Sequence, residues 1–209
     1  DQPIASSYRE MRAGFTEYVL CAQDTRGLYS EVAGVLTAHR FNILGSHVYT
    51  SKAGFALEIY RLSTPDGGRD EREFAWREFE GALEGVLTGE TRAEALLENR
   101  RTLRQPARPS VRRTHNVEIS NEESEFYTLV DVTAYDRIGL LYDLTSVIAR
   151  LGYSIFISKV GTVLDQVKDT FYLKDERRKK IVDPEALAKL HDELMSAACE
   201  DGDRENRGD

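Results

Sequence analysis

A stretch rich in strand-forming residues, Tyr18-Val19-Leu20-Cys21-Ala22, gives way at Asp24-Thr25-Arg26-Gly27 to apolar positions spaced by three and four: Leu28, Val32, Val35 and Leu36. That change of period predicts a strand, a turn and a helix. Alternation returns over residues 43–50 and 55–62, on either side of Ser51-Lys52-Ala53-Gly54, which predicts a hairpin. A second helix is expected from about Asp70 to Val86, its apolar face made by Phe74, Phe79, Leu83 and Val86.

The pattern then recurs. Asp24, Gly27, Leu28, Val35 and Ile43 fall opposite Asp136, Gly139, Leu140, Val147 and Ile155 at one constant offset. Ser46, Val48 and Thr50 keep that register with Ser158, Val160 and Thr162. After a slip of one residue, Glu58, Tyr60 and Leu62 meet Asp169, Phe171 and Leu173. The second copy opens on the apolar run 126–132, turns at Asp136-Arg137-Ile138-Gly139, and continues through a helical face of Leu140, Leu144, Val147 and Ile148. Its hairpin is expected over 155–163 and 167–173, and its last helix from Pro184, with Asp183 as cap, to about Ala197. Two copies of one unit organise the chain.

The order strand, helix, strand, strand, helix is that of an α+β layer with helices on one face of an antiparallel sheet, so two ferredoxin-like βαββαβ units are expected. The first is placed at residues 15–90, with 115–120 as its closing strand, and the second at 126–197. Residues 91–114 read as a helix followed by a connector carrying Arg92, Arg100, Arg101, Arg104, Arg108, Arg112 and Arg113, broken at 105–110 by two prolines. This connector is either a solvated linker or a basic contact for an acidic partner or a phosphate. The charged segment 198–209 offers no fourth strand to the second unit, so that unit is expected to lack its last strand or to exchange it, with a disordered tail.

Composition narrows the function. With 209 residues and 41% hydrophobic positions the chain can bury a core, and its net charge of −8 argues against nucleic acid as a partner. Two isolated cysteines, Cys21 and Cys199, point to a reducing, cytoplasmic setting rather than a disulfide scaffold. No apolar run is long enough for a spanning helix, so no membrane partner is expected. Starting on Asp1 instead of Met, the chain reads as a fragment or processed product whose catalytic part would lie upstream.

Within the 209 residues no Gly-rich phosphate loop, paired-His metal helix or nucleophile turn is found, so neither catalytic residues nor a metal or cofactor is expected. His39 and His47 have Leu151 and Lys159 as counterparts, and neither position is repeated. The repeated Asp-x-x-Gly-Leu turn is the candidate binding element. The first turn of a helix presents amide groups and a positive dipole end, and a glycine there lets a ligand carboxylate approach. Asp24, Gly27 and Leu28 form one such turn, and Asp136, Gly139 and Leu140 the other. The same residues serve equally well as a capped tight turn that binds nothing. Asn42, just before Ile43 at the start of the second strand, could offer a ligand both a donor and an acceptor; its counterpart is Ser154, so the first site is favoured.

At these motifs the sequence resembles the ACT-domain family of amino-acid-binding regulatory modules. The segments DRIGLLYDLTSVIARLGYSIFISKVGT and VKDTFYLKD, with DTRGLYSEVAGVL and NILGSHVYT in the first copy, resemble the tandem ACT repeats of the bifunctional uridylyltransferase/uridylyl-removing enzymes that modify the PII signalling protein, over Phe15 to Ala197. Ile138 and the Thr25-Arg26 pair depart from that family's proline-containing turns. The resemblance implies glutamine sensing that regulates upstream nucleotidyltransferase and hydrolase domains in nitrogen signalling. Two other readings fit the same residues: a free-standing ACT-repeat sensor of another amino acid, and a structural module that forms homodimers through open sheet edges.

Overall fold

The computed structural model describes residues 4–65, 67–101, 115–163 and 166–199. Two compact units divide near residue 107. In the first, β1 (Ala5–Glu10), β2 (Thr16–Gln23), β3 (Asn42–Thr50) and β4 (Phe55–Ser63) form an antiparallel sheet in the order β1-β2-β4-β3. The helices are α1 (Leu28–Ala38), α2 (Arg69–Leu87) and α3 (Ala93–Arg101). In the second, β5 (Asn116–Ser120), β6 (Thr128–Tyr135), β7 (Ser154–Lys159) and β9 (Gln166–Lys174) take the order β5-β6-β9-β7, with the short β8 (Thr162–Val163) on β9. Its helices are α4 (Leu140–Arg150) and α5 (Pro184–Cys199). The α+β architecture expected from the pattern is what forms.

The position of the fourth strand differs from expectation. Residues 116–120 form a strand, but it pairs antiparallel with β6, Val117 opposite Val132, and so belongs to the second unit. The first unit is completed instead by β1, whose Ala5 to Glu10 pair with Cys21 to Thr16. Each unit therefore opens with a hairpin and ends on a helix. The edge place that a C-terminal strand would fill is taken by an N-terminal one, so neither sheet is left with three strands. The physical reason is short-range closure. A tight connection, Met11 to Phe15 in the first unit, closes β1 on β2 with Gly14 at φ +83°, whereas a returning strand must close a far longer loop.

The inward face of each sheet carries the core. Tyr18, Leu20, Tyr60 and Leu62 are fully buried in the first unit, as are Val130, Val132, Phe171 and Leu173 in the second. Trp76 and Phe79 of α2 join Tyr18 and Phe41 in an aromatic cluster, and Tyr8 of β1 stacks on Trp76 at 4.2 Å. Phe74, expected on the apolar face of α2, is 57% exposed; Trp76 occupies the inward position. The helix foreseen before the connector forms as α3 and packs on α1, burying Ala93 and Leu97. Glu31 of α1 accepts the Ala93 amide at 3.0 Å and so caps α3 from a distance. Asp183 caps α5 as expected, accepting the Glu185 amide at 3.2 Å. Arg104, Arg108, Arg112 and Arg113, the break at 105–110 and the tail from 200 lie outside the described residues.

Candidate functional site

Each repeated turn ends on a glycine that must be a glycine. Gly27 has φ 87° and ψ 0°, Gly139 φ 81° and ψ 5°, both left-handed, and each is the N-cap of its helix with no side-chain cap bond. A side chain at such a φ meets its own backbone, so only glycine adopts it cheaply. The N-cap position thus falls on the glycines rather than on Asp24 and Asp136, which the turn sequence offered as capping or Asx-turn acids. The chain closes instead through Leu28 N–H to the Thr25 carbonyl at 3.1 Å and Leu140 N–H to the Arg137 carbonyl at 3.2 Å. Ser30 Oγ donates to the Gly27 carbonyl at 2.7 Å. The Asp24 amide bonds to the Gly54 carbonyl at 2.8 Å, which holds the first turn against the β3–β4 hairpin.

The second turn is held differently. Arg137, opposite Thr25 in the repeat, is mostly buried; it donates to Asp143 Oδ2 at 2.5 Å and to the Ala197 carbonyl of α5 at 2.7 Å. The turn is thereby tied to both helices of its unit. Leu28 and Leu140 are buried and anchor the helix starts, while Asn42 is exposed at the head of β3 and Ile43 points inward. A bulge follows at once, between Ile43 and Gly45, and the same irregularity recurs between Ile155 and Ile157. Even a local defect is repeated between the units.

Beneath the turns lies a pair of acids that no sequence motif marks. Glu58 on β4 and Asp169 on β9 are each only 1% exposed, on the inward faces of their strands. They are also partners in the repeat. Burial pushes the Glu58 carboxyl up to about 8; the Tyr60 hydroxyl hydrogen bond opposes this and the charge of Asp24 adds to it. Burial likewise raises Asp169 to about 8, against the Gly161 amide and with the charge of Asp136 adding. In both units the buried acid thus senses the aspartate of the turn.

Their surroundings differ. Tyr60 donates to Glu58 Oε2 at 2.8 Å, stacks on Tyr29 at 5.7 Å, and Tyr29 is hydrogen-bonded to the buried Ser46. In the second unit Phe171 and Leu141 stand where Tyr60 and Tyr29 do, while Ser158 and Asp169 are kept. Asp169 Oδ1 accepts the Gly161 amide at 3.3 Å, and Oδ2 has no hydrogen-bond partner among the described residues. An unmet buried polar atom costs about 1–3 kcal/mol, and native proteins carry few of them. A signal for this pair was present in the sequence: an acid at an inward-pointing place of an alternating strand, twice.

Two of the four histidines lie against aromatic rings. His39 follows α1 and lies edge-on to Phe79 at 6.5 Å, and His47 on β3 lies beside Tyr49. Among the described residues no group of three or more His, Cys, Asp or Glu is placed to hold a metal ion. No helix of the described residues is long and apolar enough to cross a membrane.

Residues 116–200 match the family described as ACR9-like, ACT-like domain. The second unit is an ACT-like domain. The match starts at β5, which agrees with that strand's place in the second sheet. The chain is 37% identical over 173 residues to a bifunctional uridylyltransferase/uridylyl-removing enzyme of Bradyrhizobium diazoefficiens, covering 82% of this chain and 18% of the relative. With enzymes of the same name from Rhodospirillum rubrum and Azospirillum brasilense the identities are 30% and 29%, over 87% and 96% of this chain and 19% and 22% of theirs. The chain is thus homologous to a part of these enzymes and spans about a fifth of their length. A solved structure of an unknown protein from Galdieria sulphuraria covers 92% of this chain and 94% of its own at 16% identity, with a TM-score of 0.26.

Proposed function

We propose that this chain is the amino-acid-sensing regulatory region of a cytoplasmic PII uridylyltransferase/uridylyl-removing enzyme, with glutamine as its ligand. The observation that supports this reading most is the doubled turn, in which Gly27 and Gly139 open α1 and α4 in the same left-handed conformation without a side-chain cap. An uncapped helix start favours an anionic group, such as the α-carboxylate of an amino acid, through its first amides and dipole. Asp24, Gly27 and Leu28, with Asn42 and Ile43 at the head of β3, would form one site; Asp136, Gly139 and Leu140 would form the other. Ligand binding would regulate upstream catalytic domains by favouring one arrangement of the ACT units, and can do so only to the extent that it binds the two arrangements unequally.

Thermal unfolding with each common amino acid and with 2-oxoglutarate at millimolar concentration tests the reading. A ligand at about 100 times its Kd adds roughly 2.7 kcal/mol to stability. A rise in Tm selective for L-glutamine is expected. No rise with any amino acid, together with strong self-association, would favour a dimerisation module instead.

A further inference from the structure

The unpartnered oxygen of Asp169 sets the buried acid of the second unit apart from that of the first, which accepts a tyrosine hydroxyl. The inward face of β9 carries Val167, Asp169, Phe171 and Leu173, all buried, and the paired residue on β6, Val132, is apolar and fully buried. Asp169 therefore faces apolar residues along β6 and β9, with the buried Ser158 on β7 opposite Phe171. Gly161 donates its amide to Asp169 Oδ1, and Asp136 is close enough to act on its charge. Both residues are partly exposed, so the buried carboxyl sits just inside a rim that reaches solvent at the turn. In the first unit the corresponding acid is satisfied by a tyrosine, Tyr60. In the second, phenylalanine removes that donor and the acid is retained.

We propose that Asp169 is the ligand-binding group of the second unit that receives the ammonium of an α-amino acid, whose carboxylate lies at the Gly139–Leu140 helix start. This rests on the amino-acid-sensing reading above and names the unit and the contact. Asp136 in the turn that opens α4, with Asp169 close enough to feel its charge, suits a ligand that carries a cation and an anion on neighbouring atoms. An α-amino acid has that arrangement. An ammonium supplies the donor that Oδ2 lacks, and a charge-assisted bond of this kind is stronger than a neutral one. The acid, protonated while buried, gives up its proton to solvent as the cation arrives, so binding at neutral pH releases protons.

The test is calorimetric titration of the full chain with L-glutamine and a panel of common amino acids, in buffers of different ionisation enthalpy. Wild type is compared with Asp169→Asn and Asp169→Leu, and with Asp131→Asn as a control. Asp131 is hydrogen-bonded to Thr170, one residue along β9 and on the opposite face of the sheet. Thermal unfolding verifies that each variant folds, and the leucine variant, which leaves no unmet polar atom, guards against a folding artefact of the amide. The expected result is proton release by wild type and the control, and affinity lowered roughly tenfold to a hundredfold in both Asp169 variants. The glutamine analogue lacking its α-amino group should show no such dependence on Asp169. Equal affinity in wild type and both variants would overturn the proposal while leaving amino-acid sensing intact. Failure of wild type to bind any amino acid of the panel would overturn both.

Discussion

Glu58 and Asp169 keep their protons to higher pH than ordinary carboxyls because water is excluded from them and a turn aspartate lies nearby. For Glu58 the folded state holds the proton up to about pH 8, the unfolded chain only to its ordinary value of 4.5. Its contribution to stability is complete below that lower value and is lost as pH rises through the higher one. Glu58→Gln keeps a group that can accept the Tyr60 hydroxyl but cannot ionise. Thermal unfolding from pH 5 to pH 9 should show variant and wild type close together at the acid end and the variant increasingly more stable at the alkaline end; parallel curves would refute this. At the turns, Gly139→Ala forces a Cβ into φ 81°, and denaturant unfolding should show a loss of about 1–2 kcal/mol. The turn glycines were legible in the sequence because glycine before a helical period has few other uses. The buried acids were not, since charge at an inward strand position contradicts the rule by which cores are read, and only the repeat alignment makes it an observation. Nor did the turn sequence show that the glycines, not the aspartates, are the N-caps, because that depends on backbone angles.

At the level of elements, the edge strands define each unit. β5 contributes the buried Val117 and pairs with β6 along its length, and α5 packs against it. A chain shortened to begin at residue 124 therefore loses the edge of the second sheet and the cover it shares with α5. Circular dichroism should show that this segment is unfolded or molten, whereas one beginning at residue 115 folds cooperatively; equal folding of the two would contradict the topology found here. The helices, the hairpins and the order of the central elements followed from period alone. The edge strands did not. β1 has every residue exposed and little apolar alternation to betray it, and residues 115–120 read as a strand without revealing which neighbour they join. Pairing is a property of connection and register, which a local pattern does not carry. In α2 the pattern admitted both Phe74 and Trp76, and the helix rotation that buries Trp76 against Phe41 and Tyr8 leaves Phe74 in solvent.

Across the whole molecule the two units repeat a turn, a bulge and a buried acid, yet diverge in what surrounds that acid. The repetition was visible in sequence as one constant offset, and with it the fold class. The divergence, tyrosines in one unit and Phe171 with Leu141 in the other, acquires meaning only once Tyr60 is placed on the Glu58 carboxyl and an Asp169 oxygen is left unmet. It also changes the balance between the sites: Asn42 had favoured the first unit, whereas the unmet Asp169 oxygen favours the second. The central claim is that an amino acid binds at the repeated turns. Backbone amide shifts of the isotopically labelled chain, followed by NMR during titration with L-glutamine to millimolar concentration, test it most directly. Saturable shifts concentrated at residues 24–28, at residues 136–140, or at both are expected. Shifts that saturate only on the outer sheet faces, or no shift at any concentration, would contradict it.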